Sequence, residues 1–272
     1  MKLRCGACTW TFGDLPLSEI TQRLEALGYD GVELRGDLAR YRAAEAAQIL
    51  SDHGLAVFSL TPENVDLAHP DEAVRRRAID FYLRLLDFAA GLDHPLVSCH
   101  GLVGRVRAIT TGAEEYDLLL QSVSQIAGRA RALDLRLVVE ALNRYEAHLI
   151  NTAAEAVGFV ADAGTDNVGL LLDAYHMNIE EADPAAALRL AGERLWLYHA
   201  ADSNRQGIGR GHTDFRAQLA ALADVGYAGP IVVECTAPGP DPFAATKDEH
   251  SLSWLETYLR ESREWLLGTL TQ

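Results

Sequence analysis

The chain has 272 residues, 49% of them hydrophobic, with four cysteines and a formal charge of −15. That length and composition suit a globular α/β protein with a large core and exclude a fibrous or disordered chain, while the acidity argues against a nucleic-acid backbone as partner. No run of 18 apolar residues marks a membrane span, and the N-terminal stretch MKLRCGACTWTFGD lacks the apolar core of a signal peptide, so a cytoplasmic protein with reduced thiols and no membrane partner is expected.

Short apolar runs alternate with amphipathic stretches along the whole chain. The first run, Leu3–Thr9, holds the pair Cys5 and Cys8. A redox pair would open a helix directly, and a structural zinc site would need a second pair, so both read as strand cysteines. Pro16–Leu27 reads as a helix with Leu17, Ile20, Leu24 and Leu27 on one face. The run Gly31–Leu34 follows, then a helix near Leu38–His53, the run Ala56–Leu60 and a helix over Asp71–Ala90. That third helix shows Val74, Ile79, Leu83, Leu86 and Ala90 on one face and the solvated triplet Arg75–Arg77 on another.

The second half repeats the scheme. Runs at Leu96–His100, Leu135–Ala141, Val168–Ala174, Leu195–Ala201 and Pro230–Thr236 alternate with helices at Ala113–Leu133, Thr152–Ala163, Pro184–Gly192, Phe215–Val225 and Ser251–Thr269. Asn151 and Asp183 are expected N-caps, with Pro184 at a first helical position. The phrases ALGYDG at 26–31 and DVGYAG at 224–229 each end a helix on glycine before a strand. Eight such repeats without a dinucleotide-binding glycine fingerprint predict a (β/α)8 barrel rather than an open doubly wound sheet. No linker divides residues 1–272, so one domain is expected.

Four late strands end an apolar run on an ionisable residue: Glu140, Asp173, His199 and Glu234. Barrel chemistry is built at the C-terminal ends of the strands, so the four should converge. Three carboxylates at one spot repel each other, and a divalent cation removes that cost. Three oxygens and one imidazole nitrogen suit Mn²⁺, Mg²⁺ or Co²⁺ in octahedral geometry, with two positions left for the oxygens of a hydroxy-ketone. Mn²⁺ is the expected cofactor.

The phrases EALNRYE at 140–146, LDAYHMNIEE at 172–181, HAADSNR at 199–205 and VE at 233–234 resemble the D-tagatose/D-psicose (allulose) 3-epimerases of the xylose-isomerase-like barrel superfamily. The likeness covers roughly residues 135 to 236; the first half is similar in layout only. It implies a metal-dependent sugar epimerase working through an enediolate, as a dimer or tetramer. It implies that Glu140 and Glu234 are both metal ligands and the acid/base pair, that Asp173 and His199 are ligands only, and that Glu146, His176 and Arg205 hold substrate oxygens near C1 to C3. An aldose–ketose isomerase or a keto-sugar dehydratase is possible on the same scaffold; a non-catalytic sugar-binding barrel and an endonuclease are remoter readings.

Several residues stay open at this stage. His100, at the end of the fourth strand, is a further candidate for facing substrate. Glu33 and Arg35 could form the floor of the site, His69 could approach its mouth, and Trp10 and Phe12 could stack on a sugar or belong to the core. The loop Gly207–Gly211, with Arg205, Arg210 and His212, leaves a phosphorylated sugar possible, since barrels often bind phosphate after strand seven.

Overall fold

In the computed structural model, which describes residues 4–238, 241–243 and 245–270, each apolar run becomes a strand that feeds a helix. The order is β1 (Cys5–Cys8), α1 (Leu17–Ala26), β2 (Gly31–Arg35), α2 (Ala43–Asp52), β3 (Ala56–Thr61), α3 (Glu72–Ala89), β4 (Leu96–Cys99), α4 (Gly112–Ala132) and β5 (Leu137–Glu140). It continues with α5 (Ala153–Ala163), β6 (Val168–Asp173), α6 (Ala174–Glu180), α7 (Pro184–Ala191), β7 (Leu195–Ala200), α8 (Phe215–Asp224), β8 (Ile231–Val233) and α9 (Glu249–Leu270). Every neighbouring pair is parallel, and β8 pairs with β1, which closes the barrel.

The expected strands overreach at their ends for identifiable reasons. The Leu135 N–H closes the end of α4 on Ala130 O instead of joining a ladder. Pro230 has no N–H to give, and Cys235 and Ala237 are buried beyond β8 by packing rather than by pairing. Leu3, which began the first expected strand, lies outside the described residues. The short α6 was not foreseen; its N-cap is Asp173, whose side chain accepts the Tyr175 N–H at 2.9 Å. Two further corrections concern helices. The N-cap of α5 is Thr152, in a capping box with Glu155, while Asn151 turns its amide to Leu142 O and Ala147 O. The buried face of α3 is Ala78, Phe81, Tyr82, Leu85, Leu86, Phe88 and Ala89, with Val74, Ile79 and Leu83 half-buried at its edge.

The core has two layers. Outside the strands, leucines and aromatics of the helices pack on the outward strand positions. Inside, Cys8, Phe58, Leu96, Val138, Leu171, Leu197 and Val232 fill the barrel, each large side chain contributing about 1.5–3 kcal/mol by burial. Room for this plug is made by glycine: a Cβ on Gly31 would lie 2.6 Å from the Phe58 ring.

Candidate active site

A strand presents every second side chain to the same face. Val138, Leu171, Leu197 and Val232 belong to the interior plug, so the residues two positions on, Glu140, Asp173, His199 and Glu234, form the next layer toward the C-terminal mouth. Asp173 and His199 are register partners on β6 and β7. Two adjoining groups result, Glu140–Asp173–His176 and Cys8–Glu33–His199–Glu234, in each of which ligand-type atoms lie within 4.8 Å of one another. His199 Nδ1 joins them, 4.0 Å from Glu140 Oε1 and 3.7 Å from Glu234 Oε1.

The orientation of His199 is fixed from behind. Its Nε2 lies 3.0 Å from Glu33 Oε2, and Glu33 is itself held by the hydroxyls of Ser59 and Thr61, both at 2.6 Å. That leaves Nδ1 aimed at the carboxylates with no hydrogen-bond partner; Asp173 Oδ2 and His176 Nε2 are likewise buried and unpartnered. Each such buried orphan costs about 1–3 kcal/mol. Burial, then the neighbouring Glu234 and Asp173, pushes Glu140 well above the usual carboxylate range; burial and Glu234 do the same to Asp173. Glu234 also feels burial, but Arg205 and His199 overcome it and hold the group well below its ordinary value. The orphaned Asp173 Oδ2 and His199 Nδ1, converging with the crowded carboxylates of Glu140 and Glu234, fit a divalent cation, which would satisfy them together.

A ring of polar side chains surrounds this cluster, built by two loops that interlock. Asn143, after β5, gives its amide to His176 Nδ1 at 2.8 Å and to Glu146 Oε1 at 3.0 Å. Arg144 forks onto Glu180 of α6 at 2.6–3.0 Å, tying the NRYE phrase to the HMNIE phrase. Because Nδ1 accepts from Asn143, the hydrogen of His176 is on Nε2, facing Asp173 and Glu140. Burial, reinforced by Arg205, brings the His176 pKa to about 3, so the ring is neutral. Arg205, whose φ of 59° turns the chain back toward the site, pairs with Glu146 at 3.4 Å and Glu234 at 3.0 Å and lies 4.7 Å over the Tyr175 ring.

Above the cluster opens a cavity of about 410 Å³. Its lining includes the polar Glu140, Glu146, His176, Arg205, Glu234 and His100 and the apolar Val103 and Leu142, with Trp10 and Phe243 stacked on each other beside Arg205. A larger recess of about 540 Å³ lies at the opposite end of the barrel, around Arg4, Arg136 and Trp196. The buried carboxylate–histidine groups face the smaller cavity, at the end where barrel chemistry is found.

The chain matches the xylose isomerase-like TIM barrel family model over residues 21–266. It belongs to that family. A D-psicose 3-epimerase of Agrobacterium fabrum is 33% identical over 227 residues, 78% of this chain and 77% of its own. A ketose 3-epimerase of Arthrobacter globiformis is 30% identical over 241 residues, 86% and 83% of the two chains. The crystal structure of a D-psicose 3-epimerase with D-tagatose, from Clostridium cellulolyticum, superposes with a TM-score of 0.85 at 28% identity, covering 96% of this chain and 99% of that one.

In this xylose isomerase-like barrel the expected site residues Glu140, Asp173, His199, Glu234, Glu146, His176, Arg205 and His100 all border one cavity or the cluster beneath it. Other open residues divide. Trp10 lines the cavity and gives its indole N–H to Glu234 Oε1 at 3.2 Å, whereas Phe12 is core. His69 is not among the cavity-lining residues; its Nδ1 accepts the Asp71 N–H at 3.0 Å. Arg35 pairs with Asp14. The glycine loop 207–211 is closed on itself: Asp202 takes the N–H groups of Ser203, Gly209 and Thr213, and a Cβ on Gly211 would lie 2.3 Å from its carboxylate. Arg210 is turned outward onto Glu261. Sequence reasoning offered Glu33 only as part of the floor of the site and missed Asn143 as an orienting group. Asn143 lies in the NRYE phrase, but nothing local tells its partner.

Proposed function

We propose that the chain is a divalent-metal-dependent ketose 3-epimerase acting on an unphosphorylated sugar. The observation that carries this reading is the pair of buried carboxylates on β5 and just past β8, both within 4.0 Å of the unpartnered His199 Nδ1. The names of the relatives support the same activity. Glu140, Asp173, His199 and Glu234 are the ligands in this reading, with Mn²⁺ as the ion ahead of Mg²⁺ or Co²⁺. When bound, the ion supplies Lewis-acid polarisation of the ketose carbonyl, which acidifies the C3 hydrogen.

The chain's own residues do the rest. Glu140 and Glu234 approach from different strands, so one removes the C3 proton and the other returns a proton to the opposite face. The neutral His176 Nε2–H donates to a substrate oxygen where enediolate charge develops, and Arg205, steadied by Glu146, stabilises the same charge. An unphosphorylated substrate is favoured because Asp202 already fills the amide nest after β7 and Arg205 is already paired twice. The reading includes a dimer or tetramer, to be tested by analytical ultracentrifugation.

The deciding experiment is NMR of free and phosphorylated ketoses incubated with Mn²⁺-loaded protein in D₂O. Deuterium at C3 with an inverted product is expected for the free sugars. Deuterium confined to C1 or C2 would replace the reading with an aldose–ketose isomerase, and loss of water from the sugar would replace it with a dehydratase.

A further inference from the structure

Apart from the carboxylates, His176 and Arg205, the polar side chains that line the cavity are mostly engaged with the protein itself. Asn64 donates to Val103 O and accepts from Val103 N, both at 2.9 Å. Thr61 has given its hydroxyl hydrogen to Glu33, and Trp10 has given its N–H to Glu234. His100 differs. It follows β4 directly, lines the cavity and is 8% exposed. Its Nδ1 lies 2.5 Å from Gly101 O. A carbonyl only accepts, so Nδ1 carries the hydrogen. Burial lowers the imidazole's affinity for a second proton, which keeps the ring neutral. The lone pair on Nε2 therefore has no donor among the described residues.

We propose that His100 Nε2 is a specificity-determining acceptor that takes a hydrogen bond from one hydroxyl of the ketose beyond C3. The proposal rests on the epimerase reading, in which Glu140 and Glu234 exchange the C3 proton and Glu146, His176 and Arg205 take the oxygens near C1 to C3. The hydroxyls of C4 to C6 are then the ones left to meet the β4 wall. Much of the remaining cavity lining is apolar, including Pro62, Val103, Leu142 and the Trp10–Phe243 stack, so a polar contact there discriminates strongly. A hydroxyl in the right place satisfies Nε2; a missing or inverted one leaves a buried acceptor unpaired. An ionised phosphate ester offers only acceptors and would face the lone pair unfavourably, in keeping with a free sugar.

The test uses metal-loaded wild type, His100→Leu and His100→Gln with D-psicose and its 4-, 5- and 6-deoxy analogues, read by C3 deuterium exchange and by calorimetric binding. One analogue should be about tenfold poorer than D-psicose for wild type. His100→Leu should lose about tenfold on D-psicose, mainly through KM, and should no longer distinguish that analogue. His100→Gln, which restores an acceptor, should recover part of the difference. An equal fall on all four sugars, at unchanged melting temperature, would reduce His100 to a packing residue and overturn the proposal. If wild type exchanges deuterium with none of the sugars, the epimerase reading fails instead, and the binding constants alone decide His100 by the same comparison. Failure of wild type to bind any of the four overturns both.

Discussion

Glu33 controls the site without being one of its proposed ligands. Its carboxylate lies behind His199, on the ring nitrogen turned away from Glu140 and Glu234. Burial would raise its pKa, but His199 and the Ser59 hydroxyl bring it below the ordinary value, so it stays ionised and fixes which nitrogen faces the cation. Glu33→Gln is expected to weaken Mn²⁺ binding about 10–100-fold with the fold intact; an unchanged dissociation constant by calorimetry would show that His199 is oriented by packing alone. Glu140→Gln and Glu234→Gln, measured at saturating Mn²⁺ with metal content checked, should cut C3 exchange by about 10²–10⁴. Near-normal exchange in either would remove it from the acid/base pair. The residues legible in the sequence were those whose signal is local, such as Glu140 at the end of LVVE. Glu33 lies inside its strand rather than at the end of an apolar run, and its partner is 166 positions away and becomes a neighbour only through barrel closure. Arg205 could be tied to the site by resemblance, yet not by any spacing, because its left-handed φ decides where the side chain goes.

At the scale of elements, alternation of strand and helix was readable because apolar period and turn glycines agree along the chain. Gly28 and Gly226 do end helices with positive φ. The cap of α5 was also written in the sequence: Thr152 is followed three residues later by Glu155, and that reciprocal pair outweighs the neighbouring Asn151. What could not be read is how loops clamp one another. Arg105 joins Asp66 from the β3–α3 loop and Glu115 from α4, while His148 from the β5–α5 loop reaches the same Glu115 carboxylate at 2.7 Å. These loops carry Val103, Gly104 and Glu146 into the cavity. Burial opposes the Glu115 charge, but Arg105, the amides of Thr110 and Ile109 and His148 bring its pKa to about 2. A depressed folded pKa adds stability above the unfolded value near 4.5 and loses it as pH falls toward 2. Glu115→Ala should therefore cost about 3 kcal/mol at pH 7, on the order of 5 °C in melting temperature, and the gap to wild type should narrow as the pH is lowered below 4.5. A gap independent of pH would mean that the loss is packing rather than charge.

For the whole molecule, the proposed ion and protons would compete for one buried volume. Burial raises Glu140 and Asp173 well above the usual carboxylate range, and although burial disfavours a charged His199, Glu33 and Glu234 raise its pKa well above normal. All three groups have folded pKa values above their unfolded ones, so the metal-free protein gains stability from their protons at low pH and loses it as pH rises through the folded values. Glu33 and Glu234 carry the opposite sign, but they are already ionised near neutrality and have no proton to release. A cation needs unprotonated ligands, so its uptake must expel protons from Glu140, Asp173 and His199. The expected result is a Mn²⁺ affinity that rises with pH and a melting-temperature gain on adding Mn²⁺ that is larger at pH 8 than at pH 6. Calorimetry at pH 7 in two buffers of different ionisation enthalpy should show a net release of protons on ion binding. A count of zero would mean that the cluster is already ionised in the metal-free protein, and the proton linkage assigned to the Glu140–Asp173–His199 group would have to be abandoned. The ligand set would then need direct testing by substitution.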